Sequence, residues 1–271
     1  MQDAAKSAVP PTNLGRNIHF GIREHSMGAI CNGLALYLES PVFCSTFLAF
    51  SNYMMPAIRM SAMMSLPVMY EFTHDSFKVG EDGATHQPIE QLGQLRLIPN
   101  LNVFRPADAN ELIYCYKMAF AENKPSAFAL TRQTVKTVTT GVKNISRGGY
   151  VLSGAGGDIS IFASGSEVAL ALQVAEQLKL DGFKTKVCSF PCLEVFEQQN
   201  ENYKQSVLSG SSIKVVIEAS NDNVWYKYLT NKDLYICADK FGESGSIEDL
   251  DKYYGFTVNN ICKKIKNALK K

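Results

Sequence analysis

Several things are missing from this 271-residue chain, and each absence removes a class of function. Charge of one sign is the first: the net charge is +1, so no one-signed field is present to recruit nucleic acid or acidic lipid. Neither polymer is an expected partner. A long apolar run is missing too, because Pro56, Arg59 and Pro67 interrupt the methionine-rich stretch 53–70 well before the ~20 apolar residues that a bilayer span needs. That stretch is expected inside the protein, with no membrane partner. Metal-ligand spacing is absent as well. The seven cysteines (Cys31, Cys44, Cys115, Cys188, Cys192, Cys237 and Cys262) are odd in number, sit mostly in apolar runs and contain no zinc-knuckle pair, so they are expected to be reduced core thiols. The opening MQDAAKSAVPPTN lacks the basic start and apolar block of a secretory signal, from which a cytoplasmic location is expected.

What is present is a composition of 46% hydrophobic and 20% charged residues, that of an ordinary globular protein, at a length that suits roughly two domains. Between residues 23 and 38 the apolar positions Met27, Ile30, Leu34 and Leu38 recur at helical spacing, and Pro41 stops the helix before a strand at 42–48. A short helix at 53–64 and a compact apolar strand at 67–72 follow, the strand delivering His74 into a glycine-rich loop. Residues 102–105 read as another strand, a helix runs from Asp108 to about 121, and a strand covers 127–131. Between Thr134 and Asp158 the chain turns polar and glycine-rich. A second alternation then gives strands at 159–163, 186–190, 214–218 and 234–238 and helices at 167–180 and 258–269, the lysine-rich CKKIKNALKK being the solvated, dipole-favoured end of the last helix. The expected fold class is α/β: two consecutive three-layer α/β domains with mostly parallel sheets, divided as 1–133, a linker at 134–157, and 158–271.

Candidate chemistry concentrates in residues 21–88, where GIREHSMG, TFLAFSNYMMPAIR and HDSFKVGEDGATHQP follow one another. Glu24 stands at the start of an amphipathic helix, a place where an acid also suits the helix dipole. Phe47, Phe50 and Tyr53 recur every three residues on a strand-to-helix turn, a ladder that serves a core as readily as a ring-binding pocket. An acid and an aromatic shelf together suit a flat heteroaromatic ring, stacked on its face and hydrogen-bonded at its edge. His74, Asp82 and His86 share one loop, but no fourth ligand is placed by spacing and no metal site is expected in this chain. Gly80 and Gly83 permit a tight loop whose side chains either satisfy one another locally or grip the hydroxyls or phosphate of a polar substrate. Arg132, at the end of a strand, is either an exposed cation or a phosphate clamp at the carboxyl edge of a sheet.

GIREHSMGAICNG, the FxxFxxY ladder, HDSFKVGEDGATHQPIEQL, VFRPADANE and LTRQ resemble, in order and spacing, the pyrimidine-binding domain of transketolases. Downstream, FASGSEVALALQVAEQL, SFPCLEVFEQQ, EAS with WYKY, and DKFGESGSIEDLDKYYGFTVNNI resemble the transketolase C-terminal domain, so the likeness spans about residues 17–269. It implies a thiamine-diphosphate-dependent transferase that moves a two-carbon ketol unit from a ketose phosphate to an aldose phosphate. It further implies that Glu24 is catalytic and hydrogen-bonds the pyrimidine N1′ of thiamine diphosphate, that Phe50 stacks on that ring, and that Phe47 and Tyr53 complete an apolar pocket. His86, also catalytic, and Asp82 would hold the substrate's hydroxyls or carbonyl, while His74 and Arg132 would receive its terminal phosphate. Alternatives are a related thiamine enzyme (a deoxyxylulose-phosphate synthase or the β subunit of a 2-oxoacid dehydrogenase) and a non-catalytic binding or assembly subunit.

Transketolases also carry a GDG motif for the diphosphate, whose nearest counterpart here is GEDG at 80–83, inside the substrate loop. The pyrimidine domain is short at its beginning as well. The resemblance therefore implies a partner, an N-terminal transketolase subunit whose GDG motif holds the diphosphate and its Mg2+ or Ca2+, with the active site at the interface and self-association into a homodimer or heterotetramer. A truncated product would retain the same residues.

Overall fold

The computed structural model describes residues 15–270; the opening MQDAAKSAVPPTN segment, and the expectations that rest on it, lie outside them. Strands β1 (Val42–Phe47), β2 (Val68–Thr73), β3 (Asn102–Phe104) and β4 (Ser126–Leu130) pair in the order β1-β2-β4-β3, all parallel. β2 and β4 are interior and nearly continuous in burial, as strands covered on both faces must be. Helices α1 (Glu24–Leu38), α2 (Ser51–Met63) and α3 (Gln91–Arg96) cover one face, where Met27, Met54, Ile58 and Leu92 share a core with Tyr70 and Phe72. Helix α4 (Ala109–Glu122) covers the other through Cys115 and Met118, packed with Met69 and Phe128. Its start is set by Asp108, whose carboxylate accepts from the backbone N–H groups of Asn110 and Glu111.

The second sheet contains β5 (Tyr150–Gly154), β6 (Gly157–Ala163), β7 (Thr185–Ser189), β8 (Ser211–Glu218) and β9 (Leu234–Cys237), in the order β5-β7-β6-β8-β9 with β5 alone antiparallel. The helices are α5 (Glu167–Leu180), α6 (Leu193–Glu197), α7 (Glu201–Leu208), α8 (Ile247–Tyr254) and α9 (Val258–Ala268). Alternation along β6 sorts the layers: Ile159 and Ile161 pack with Val174 of α5 and Ile261 of α9, whereas Phe162 packs with Phe190, Phe196 and Trp225 on the opposite face.

Three details differ from the sequence expectation. Strand β5 falls within the stretch read as a linker, because it is an edge strand whose Tyr150 alone is buried and whose pattern is therefore faint. Helices α3, α6, α7 and α8 are too short to establish a period. In α1 the buried stripe is Met27, Gly28, Cys31, Asn32 and Ala35, while Ile30 and Leu38 face outward; the small residues let α2 lie close. No described helix is long and apolar enough to cross a membrane, and the seven cysteines are free, with all but Cys237 buried.

A buried seam joins the halves. Phe77, Ile89 and Ala107 enter the core of the second sheet, and Cys192 and Val195 enter that of the first. At its centre the fully buried Arg105 pairs with Asp75 at 2.9 Å and with Glu167 and Glu218, and the Trp225 indole N–H donates to Glu218 at 3.1 Å. Arg96 pairs with Asp222 alongside. Burial outweighs the attraction of Arg105 and Arg96, so Glu218 is pushed up to about 7.

Candidate active site

The candidate side chains gather at the carboxyl ends of β1, β2 and β4, where ligands of parallel sheets bind. Phe47 closes β1, Phe50 closes the single turn 48–50, and Tyr53 lies in the first turn of α2. The Phe47 and Phe50 rings are parallel at 5.9 Å, and Phe50 and Tyr53 lie 6.1 Å apart. His74 is the first residue after β2 and holds φ at +61°, a left-handed conformation that costs a non-glycine residue about 1–3 kcal/mol. Its ring lies face to face on Phe47 at 3.5 Å, and its Nδ1 is 2.9 Å from the Thr73 hydroxyl, so packing and hydrogen bonding hold the strained backbone.

His86 stands edge-on to Phe50 at 5.2 Å and to Phe47 at 6.4 Å, with Nδ1 2.9 Å from the Thr85 hydroxyl. The loop between the histidines turns at Gly80 (φ +87°) and Gly83 (φ +78°), as its composition implied. Burial lowers the pKa of His74, the Arg132 charge adds to that, Asp82 opposes it and His86 adds a little more. One ring therefore feels three of the other predicted residues.

Glu24 is the first residue of α1 and is half-buried. It shares with Phe50, Tyr53, His86, Ile22 and His25 an open cleft of 660 Å³. Phe47 and His74 stand behind Phe50, and Asp82 is exposed on its loop. The pocket around Glu24 is not closed: Ile22 is 93% exposed and Tyr53 65%, leaving apolar surface bare at the margin. Ile22 and His25 were not anticipated as cleft residues, although they flank Glu24 in the same GIREH motif. A second cleft of 590 Å³ beside β9 and α9, lined by Asp233, Tyr235, Lys264 and Asn267, contains none of the predicted site residues. Among the described residues, no three His, Cys, Asp or Glu side chains converge as a metal site.

Residues 2–137 match the family model of the transketolase pyrimidine binding domain, and residues 148–257 match that of the transketolase-like C-terminal domain. The chain belongs to the transketolase family. The transketolase of Aquifex aeolicus is 46% identical over 262 residues, which cover 94% of this chain and 38% of that protein. The crystal structure of a Pichia stipitis transketolase in complex with sedoheptulose-7-phosphate superposes with a TM-score of 0.91 at 36% identity, over 97% of this chain and 40% of that one. A split-gene transketolase, described as an inactive β4 tetramer, superposes with a TM-score of 0.79 at 25% identity, over 94% of this chain and 84% of that one. This chain thus spans about two fifths of the length of the curated relatives it matches, and its two α/β sheets superpose on the matching part of the transketolase structures. These matches favour transketolase over the related thiamine enzymes.

Proposed function

We propose that this chain forms the pyrimidine-binding side of a thiamine-diphosphate site in an enzyme that transfers two-carbon ketol units between sugar phosphates. The observation that carries this reading is the single cleft in which Glu24, Phe50, Tyr53 and His86 meet, inside the region matched to the pyrimidine-binding domain. The donor set suits the group: a half-buried carboxylate for the edge of a heterocycle and an aromatic face for its plane. When bound, the coenzyme supplies a carbanion-stabilising centre that no amino-acid side chain offers.

The chain's own residues then bind and orient. Glu24 shares a proton with the ring nitrogen, and Phe50 stacks, backed by Phe47 and flanked by Tyr53. His86 and Asp82 hold the substrate's hydroxyls or carbonyl. His74, whose pKa is lowered by burial and by the Arg132 charge, donates an N–H to a phosphate oxygen, while Arg132 supplies the positive charge. We assign the diphosphate and its Mg2+ or Ca2+ to an N-terminal transketolase chain bearing the GDG motif, docked against the bare apolar margin at Ile22 and Tyr53. The tetramer described for the split-gene relative supports self-association of a chain of this extent, and the sugar-phosphate chemistry suits a cytoplasmic location.

Mixed with such a partner, thiamine diphosphate and Mg2+, the chain is expected to transfer ketol units from xylulose phosphate to an aldose phosphate, and neither chain alone is expected to do so. Folded chains that associate yet show no thiamine-dependent transfer would leave an assembly role instead.

A further inference from the structure

The loop that presents Asp82 and His86 is held by the second half of the molecule as much as by its own sheet. Gln87, the neighbour of His86, is 3% exposed, and its amide nitrogen donates to two carbonyls at 2.9 Å, that of Gly80 at the other end of the loop and that of Glu243 in the second half. Two carbonyl acceptors fix which end of the amide is nitrogen. The Ser244 hydroxyl adds a bond to the Glu81 carbonyl at 2.6 Å. Beneath the loop, Phe77 stacks on Tyr254 at 4.3 Å and Lys78 pairs with Asp251 at 3.0 Å. The fit at the latch is tight: a Cβ added to Gly242 would lie 1.5 Å from the Gln87 amide oxygen, so a side chain there would displace Gln87.

We propose that Gln87 is a positioning residue for His86, latching the substrate loop onto residues 242–244. Closing the loop between Gly80 and Gln87 sets the backbone turn in which the His86 N–H reaches the Gly83 carbonyl at 3.0 Å, and that turn keeps the His86 ring edge-on to Phe50. The C-terminal half is then part of the site's architecture although it contributes no side chain to the cleft. The functional meaning of this latch rests on the proposed role of His86; the latch itself does not.

The test uses the full chain without coenzyme, substrate or partner, so an absent ketol transfer and an absent latch remain distinguishable. The chain has four histidines, which keeps the ring region of its NMR spectrum simple, and exposed His19, which does not line the cleft, serves as an internal reference. In the parent chain, Overhauser contact between the His86 and Phe50 rings and slow exchange of the Gly83 and His86 amides are expected. Gln87→Glu turns a carboxylate onto two carbonyl oxygens, and Gly242→Ala pushes the amide away. Each is expected to lose the ring contact and the amide protection while the chain stays folded, with His19 near its parent position and some loss of melting temperature from the buried carboxylate or the added methyl. The double variant is expected to lose no more than either single one. Ser244→Ala, the mildest change, is expected to speed exchange at Gly83 in part, and serves as the deciding variant should the other two fail to fold. Folded variants that keep the His86–Phe50 contact and parent-like exchange would overturn the proposal.

Discussion

Arg105 and Glu24 show two ways of placing a charge in one molecule. Arg105 is sealed from water with carboxylates drawn from Asp75, Glu167 and Glu218 around it, every one of them supplied by this chain. Glu24 lines an open cleft beside Ile22, which is almost wholly exposed. The charges of the seam all come from this chain and are buried, whereas the cleft stands open. Structural order is therefore invested in holding the two halves together, and the cleft proposed for the chemistry is left at an open surface.

The sharpest way to separate these environments is Glu24→Ala. In the enzyme assembled with its partner, turnover is expected to be lost, whereas denaturant titration of the chain alone is expected to change by less than about 1 kcal/mol, the scale of an acid at a helix start. A stability loss as large as that of a seam variant would erase the distinction. Arg105→Met tests the other side: with three buried carboxylates deprived of their cation, a destabilisation of roughly 3–5 kcal/mol is expected in urea unfolding. A near-neutral result would mean that the acids, not the guanidinium, dominate the seam.

Arg132→Ala is expected to cost phosphorylated substrates roughly 1.5–3 kcal/mol in kcat/KM, the worth of a charged hydrogen bond, and unphosphorylated ones much less. Equal losses would remove Arg132 from phosphate binding. A separate effect concerns protons. Glu218 has a folded value of about 7 against an ordinary 4.5, so the native state retains its proton where the unfolded chain has released it. Its contribution to stability is full below pH 4.5 and is lost as pH rises towards 7. Glu218→Gln is expected to flatten that slope in pH-dependent unfolding curves, and an unchanged slope would assign it to other buried acids such as Asp75.

Much of this was legible in the residues. Strands β1, β2, β4, β6 and β8 announce themselves as apolar runs, and α5 was bounded to the residue because Glu167 opens it and its period is unbroken. The meeting of Glu24 with Phe50 and His86 followed from motifs, with Glu24 at a helix start, Phe50 at a strand-to-helix turn and His86 on the glycine-rich loop. What could not be read was contact across the seam. Gln87 finds Glu243 far along the chain, and nothing local marks either residue for the other. Helix α1 misled for a related reason: its period named Ile30 and Leu38 as core, but which face turns inward is decided by the close packing of α2 on Gly28 and Asn32.

Residues 140–144, on the strand-free path between β4 and β5, include the exposed Lys143 and carry little of the packing described above. With the halves held by Arg105 and its acids, by Phe77 on Tyr254 and by Gln87 on Glu243, a protease cut after Lys143 severs the backbone without releasing either piece. The nicked species should migrate as one particle on a sizing column and part only under denaturation, which makes the peptide link between the halves dispensable once they have met.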